Sequence, residues 1–455
     1  MSLLLIINII FCIISSILVA IAPDIYSHNF CVTITLLFIT QNLLYFLFKK
    51  ERNLVCFEFF FMISFFFTNF VYPVFYYPND PYISVFIRGF NQNIITKSTA
   101  IAYFAYTFFL LTVTQTKSIP KEKSQKKPFV ISSLSLNLIF TFTLITFGLY
   151  VITGGLSAMR EVYSGNGNIN DVGIYSYFNN FFTIFCYLLA MFIFRSNSKF
   201  KVILYGITII ILIFLLLTTG TRGIILGIGL ILITSFNDNV KKIPGIWVLL
   251  GVFVGTLVLT FVVFARSTDF TEGNWLESGI AKFHINSVFD LFMDLIINNR
   301  NLYVLIDYTD THQLSYFSGM MSDITAPIPK LFGYIAENSN IDPELLLSGN
   351  LPTYLELGAN SAYGLGTNMV GEAYYTFGLG GVVFFFSFLG FIIRKSRSAM
   401  NYNIYAYLIY FLFVSHAVFY PRAPILFNPR IIIWSLAILF LIINFTKKEK
   451  KISYS

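Results

Sequence analysis

The sequence predicts an all-α, polytopic integral membrane protein, and three observations carry that prediction. The chain is 56% hydrophobic, 18% aromatic and only 11% charged, with a mean hydropathy of +0.73 over 455 residues, which no soluble globule of this size matches. Twelve apolar stretches recur along it, most near the roughly 20 residues a helix needs to cross a bilayer. The basic residues between them sort by side: sixteen Lys and four Arg on one, seven Arg and three Lys on the other. Lys and Arg in short loops are retained in the cytoplasm, so the Lys-rich side is read as cytoplasmic.

The segments fall near 2–22, 29–48, 54–77, 98–114, 129–152, 173–194, 200–218, 222–236, 245–265, 369–393, 402–420 and 429–446. The first ends in Ala20-Ile21-Ala22, which has the small-residue pattern of a signal-peptide cleavage site. It lacks a basic leader and Pro23 follows the would-be cut, so an uncleaved helix is expected. The eighth is short, and only Thr219 to Thr221 separate it from the seventh. Basic clusters test the map, because each should reach the same side. Those around Lys49, Lys121, Lys199, Lys241, Lys395 and Lys448 all do with twelve spans, and both termini are then cytoplasmic.

Three parts follow: 1–265 with spans one to nine, a large extracytoplasmic loop at 266–368, and 369–455 with the last three spans and a cytoplasmic tail. The loop is long enough to carry its own structure, and 278–294 within it has the apolar spacing of a helix lying on the membrane surface. Cytoplasmic loops are short, the longest from about Gln115 to Pro128. None houses a nucleotide-binding domain, and neither a Walker-type glycine loop nor a metal-ligand cluster is present. No metal or cofactor is expected. Cys12, Cys31, Cys56 and Cys186 lie in or beside apolar spans and are read as core residues. The net charge of +8 belongs to juxtamembrane loops and anionic membrane lipid rather than to nucleic acid.

The surplus of Arg outside needs its own cause, and Arg is suited to bidentate binding of phosphate. Arg222 stands in Thr219-Gly220-Thr221-Arg222-Gly223, opening the eighth span, where a helix N-terminus favours anions. Arg160 follows Gly154-Gly155 after the fifth span, Arg266 ends the ninth, and Arg422 lies in Tyr420-Pro421-Arg422-Ala423-Pro424 before the twelfth. Each is either an anchor to lipid headgroups or part of one anion pocket. Glu372, Tyr375 and Thr376 share a helical face at the outer end of the tenth span. Glu372 either pairs with an arginine or accepts a proton from a sugar hydroxyl. His416, one turn before Tyr420, and His284 and His312 in the large loop are further candidates.

Gly154-Gly155 with Arg160, Gly220-Thr221-Arg222-Gly223 opening a span, the late loop ending in Gly371-Glu372-Ala373-Tyr374-Tyr375-Thr376-Phe377-Gly378, and Arg422 before the last span together resemble the O-antigen polymerase family. The resemblance implies a metal-independent, membrane-embedded C-type glycosyltransferase of the bacterial inner membrane. It would move a growing glycan from undecaprenyl pyrophosphate to the terminal sugar of a new lipid-linked repeat unit, with a chain-length regulator and a flippase as partners. Arg160, Arg222, Arg266 and Arg422 would hold the pyrophosphates, and Glu372 and Tyr375 would orient or deprotonate the acceptor hydroxyl; His284 and His416 are substrate-contact candidates by their position alone, against a packing or surface role. Two rivals stay open: an O-antigen ligase relying on His284 or His312, and a lipid-linked oligosaccharide flippase, although the single large loop breaks the six-plus-six symmetry of a transporter.

Overall fold

The computed structural model describes residues 3–49, 53–81, 90–115, 129–164, 173–196, 198–217, 219, 221–266, 288–359, 361 and 364–452. All regular structure among them is helical. In chain order the α-helices are α1 (Leu3–Ala20), α2 (His28–Phe48), α3 (Phe57–Asn69), α4 (Ile95–Thr114), α5 (Ser133–Ile152), α6 (Gly155–Ser164), α7 (Tyr175–Phe192), α8 (Lys199–Leu217) and α9 (Gly223–Asn239). They continue with α10 (Gly245–Arg266), α11 (Met293–Ile296), α12 (Asn299–Thr311), α13 (Met321–Thr325), α14 (Leu331–Asn338), α15 (Leu351–Leu357), α16 (Met369–Ala399), α17 (Ile404–His416) and α18 (Pro429–Ile452).

Each predicted apolar segment contains a helix. Eight are long and apolar enough to cross a membrane, and α3, α9, the described part of α10 and α17 are shorter apolar helices. Composition explains where the shorter ones stop. Pro73 lacks an N–H and its ring opposes the carbonyl four residues back, so α3 ends at Asn69 and the chain leaves through a π-helical turn at Tyr72–Tyr76. Pro421 ends the eleventh segment in the same way, in a 3₁₀ turn at Tyr420–Arg422 after α17 has stopped at His416.

The core is aromatic. Phe38 of α2, Phe61 and Phe65 of α3 and Tyr106 of α4 pack ring on ring. Polar side chains inside the bundle pair with one another, as burial requires: Gln41 donates to Asn8 at 2.8 Å and Tyr106 to Asn42 at 2.5 Å. At the end of the bundle that carries Lys49 and Arg397, the buried Glu58 carboxylate accepts from Lys49 at 3.2 Å, Arg397 at 2.8 Å and Tyr45 at 3.1 Å. This joins α2, α3 and α16 and brings two of the predicted basic clusters to one end.

The tenth segment is not one straight helix. Phe377 (φ −141°) and Gly378 (φ 59°, ψ −147°) leave helical geometry and divide α16 into a short outer piece and a long inner one. A side chain at Gly378 would be forced into a backbone region that only glycine occupies comfortably. The carbonyls released at the break are taken up by a neighbouring strand of loop: the Ser315 N–H donates to Tyr375 O and the Tyr316 N–H to Thr376 O, both at 3.0 Å. Further ties hold the loop to the bundle. Phe292 stacks on Phe67 at 3.8 Å, Arg430 donates to Ala326 O at 2.7 Å, and Trp434 to Pro327 O at 3.0 Å. Of the predicted surface helix, 278–287 lies outside the described residues, and the remainder is a 3₁₀ turn at Val288–Phe292 running into α11.

Candidate functional site

Arg222 sits at the N-cap of α9, its backbone carbonyl accepting from Leu226 N at 3.0 Å. The turn ahead of it is closed by a hydroxyl pair, Thr219 Oγ1 to Thr221 Oγ1 at 2.8 Å. The Arg222 guanidinium therefore leaves from a short, well-fastened corner. It forms an ion pair with Asp294 of α11, which is held in place because Phe292 is stacked on α3 and because Asn299 donates to Thr68 O at 2.8 Å.

Arg422 reaches the same residue from another direction. Its 3₁₀ turn is closed by Arg422 N donating to Phe419 O at 3.0 Å, and its guanidinium donates to the Asp294 backbone carbonyl at 3.0 Å. Burial pulls the Arg422 guanidinium below its ordinary range; Asp294 opposes that, and the like charge of Arg222 adds to it. Two guanidinium groups thus converge on one residue, Arg222 on its carboxylate and Arg422 on its backbone carbonyl, and among the described residues two positive charges meet one negative charge at this corner.

Beside Arg422 opens a cavity of about 320 Å³ between α7, the start of α9, the end of α17 and the turn before α18. Arg422 and His416 both line it. His416 is buried, with Ser415 Oγ and Leu412 O each 2.8 Å from its Nδ1 and Asn428 Nδ2 3.5 Å from its Nε2.

Glu372 is fully buried near the start of α16. One carboxylate oxygen accepts from Ser348 Oγ and the other from Ile425 N at 2.6 Å. It ties the loop at 348 and the turn three residues beyond Arg422 to the same helix, and it meets no arginine among the described residues. Tyr375 is buried against Leu305 and Leu351, with Tyr308 at 5.9 Å. Arg160 is exposed on α6 and does not line the cavity. Arg266 ends α10, its side chain outside the described residues, and His284 lies outside them altogether. His312 stacks on Tyr308 at 4.1 Å and lines a separate cavity of about 270 Å³ that shares no residue with the first.

Sequence reasoning missed Asp294, whose carboxylate ends an amphipathic run that read as a surface helix. It also missed Arg300, 1% exposed on α12 and paired with Glu356. The only signal for Arg300 was its place in a run of asparagines, Asn298-Asn299-Arg300-Asn301.

The fold and the site define a class: a polytopic helical membrane protein with two arginines gathered on one aspartate at one end of its bundle. The family model for O-antigen polysaccharide polymerase Wzy matches residues 3–450. The chain belongs to that family, and its activity is the polymerisation of O-antigen repeat units, a glycosyltransferase-type reaction on lipid-linked oligosaccharides. No curated protein and no solved structure matches it.

Proposed function

We propose that Arg222 and Arg422 bind the pyrophosphate of a glycan carried on undecaprenyl pyrophosphate, on the extracytoplasmic side of the inner membrane with both termini in the cytoplasm. The observation that carries this reading is the convergence of the two guanidinium groups on Asp294. A pyrophosphate brings the charge that one carboxylate leaves uncompensated, and paired guanidinium groups suit phosphate oxygens. The orientation is supported by the Lys-rich clusters at the opposite end of α16, where Lys49 and Arg397 meet Glu58.

In the reaction, the bond from the donor sugar's anomeric carbon to the phosphate oxygen breaks as the acceptor hydroxyl oxygen bonds to that carbon. The electron pair leaves with undecaprenyl pyrophosphate, whose growing charge Arg222 and Arg422 stabilise. The acceptor proton passes to the departing pyrophosphate, either directly or by way of water. Glu372 acts as a positioning residue, fastening the turn that carries Arg422, and Tyr375 braces the outer piece of α16. We assign Arg160 and Arg266 to the approach of the lipid headgroup, and His416 to the wall that faces the glycan.

The test is complementation of a deletion strain, read as a surface-polysaccharide ladder. Arg222→Ala and Arg422→Ala should each reduce chains longer than one repeat unit by roughly 100-fold, the usual effect of removing one charge-stabilising donor. Wild-type ladders from both variants would refute the assignment.

A further inference from the structure

The cavity beside Arg422 has a chemistry of its own. Carboxamides of Asn179, Asn180 and Asn428 line it together with Tyr187 and His416, and apart from Arg422 no charged side chain lines it among the described residues. Amides offer donor and acceptor on one planar group and so match neighbouring sugar hydroxyls. The rings of Tyr187, Phe419 and Phe427 supply apolar faces, and a mostly apolar pocket with a few convergent polar groups is the usual form of a small-ligand site.

Two observations indicate that the amides serve a ligand. Asn179 Oδ1 is closed off from solvent and accepts no hydrogen bond among the described residues, a cost that a buried polar atom carries until something pairs with it. Asn428 holds a left-handed backbone, φ 50°, which asparagine tolerates better than most residues, and its amide makes only a long 3.5 Å contact with His416.

We infer that this cavity binds the sugar attached directly to the donor's pyrophosphate and selects which repeat unit is polymerised. The inference rests on the assignment of Arg222 and Arg422 to the pyrophosphate. With the phosphates at Arg422, the first sugar is the part of the donor that a neutral, amide-lined cavity on the rim of that arginine would receive. The lipid chain is the other candidate occupant, and it would make no use of three carboxamides.

The experiment uses the full-length protein in nanodiscs with two probes: undecaprenyl pyrophosphate without sugar, and the lipid-linked repeat unit extracted from cells deleted for this protein. Asn180→Ala and Asn428→Gly are compared with wild type and with Arg422→Ala. The glycine keeps the left-handed backbone at 428, so the variant loses only the amide. Both asparagine variants should bind the sugar-bearing probe about tenfold more weakly and the sugar-free probe as wild type does, while Arg422→Ala weakens both. Equal weakening of both probes by the asparagine variants would place lipid or phosphate in the cavity and overturn the inference, as would unchanged binding of both. If Arg422→Ala left both probes unaffected, the pyrophosphate assignment would fail, whatever the asparagine variants did.

Discussion

Asp294 is the residue on which the two arginines depend. Replacing it by Ala removes the carboxylate paired with Arg222 and keeps the backbone carbonyl that Arg422 donates to, so two positive charges face each other without an anion, the corner should loosen and polymer yield should drop. Ser348→Ala removes one of the two donors to Glu372 and should cost about 1–3 kcal/mol, seen as an earlier thermal unfolding midpoint in detergent. Asp323 of α13 provides a pH probe. Burial pushes its carboxyl up to about 7, against an ordinary value near 3.9, and Glu372 is the neighbouring carboxyl. Between about pH 4 and pH 7 the folded protein keeps a proton that the unfolded chain has released, so stability falls as pH rises across that window and levels off above it. Asp323→Asn should flatten the slope, and melting curves at pH 4.5 and 7.5 would reveal it; an unchanged slope would exclude Asp323 as its source.

At the scale of elements, the break in α16 is the feature most open to test. Gly378→Ala should cost roughly 1–3 kcal/mol through backbone strain, with the loss read from thermal unfolding and a shortened ladder. Wild-type behaviour would mean that the outer piece of α16 can straighten without consequence. The helices themselves were legible, because apolar runs and the prolines that end them are local properties of the chain. The break was half legible: Gly378 and Gly380-Gly381 stood in plain view, yet hydropathy counts apolar residues and takes no account of φ. Arg222 and Arg422 were recognisable as unusual cations, but their nearness was not, since 72 residues separate Arg222 from Asp294 and 128 separate Asp294 from Arg422. Nothing in an amphipathic run such as Val-Phe-Asp-Leu-Phe-Met-Asp says which of its two carboxylates turns toward a distant helix.

Across the whole molecule, charge is handled differently at the two ends. At the Lys49 end, Glu58 is enclosed by cations and only 2% exposed, an arrangement that fastens helices. Glu58→Ala should destabilise the bundle by roughly 3–5 kcal/mol, because it strands Lys49 and Arg397 without their anion, and unfolding in denaturing detergent would measure the loss. At the loop end, Asp294 keeps 42% and Arg222 23% of their side-chain surface open, so this pair is within reach of a ligand.

The loop-end corner also has a history in time. Arg222 leaves the ribosome first, Asp294 later, and Arg422 only some 200 residues after Arg222; at about 5–20 residues per second that interval is tens of seconds. For all of it the nascent chain holds an arginine at least one of whose final neighbours does not yet exist, so a protein cut short before its last turn is not a weaker polymerase but one whose site was never put together.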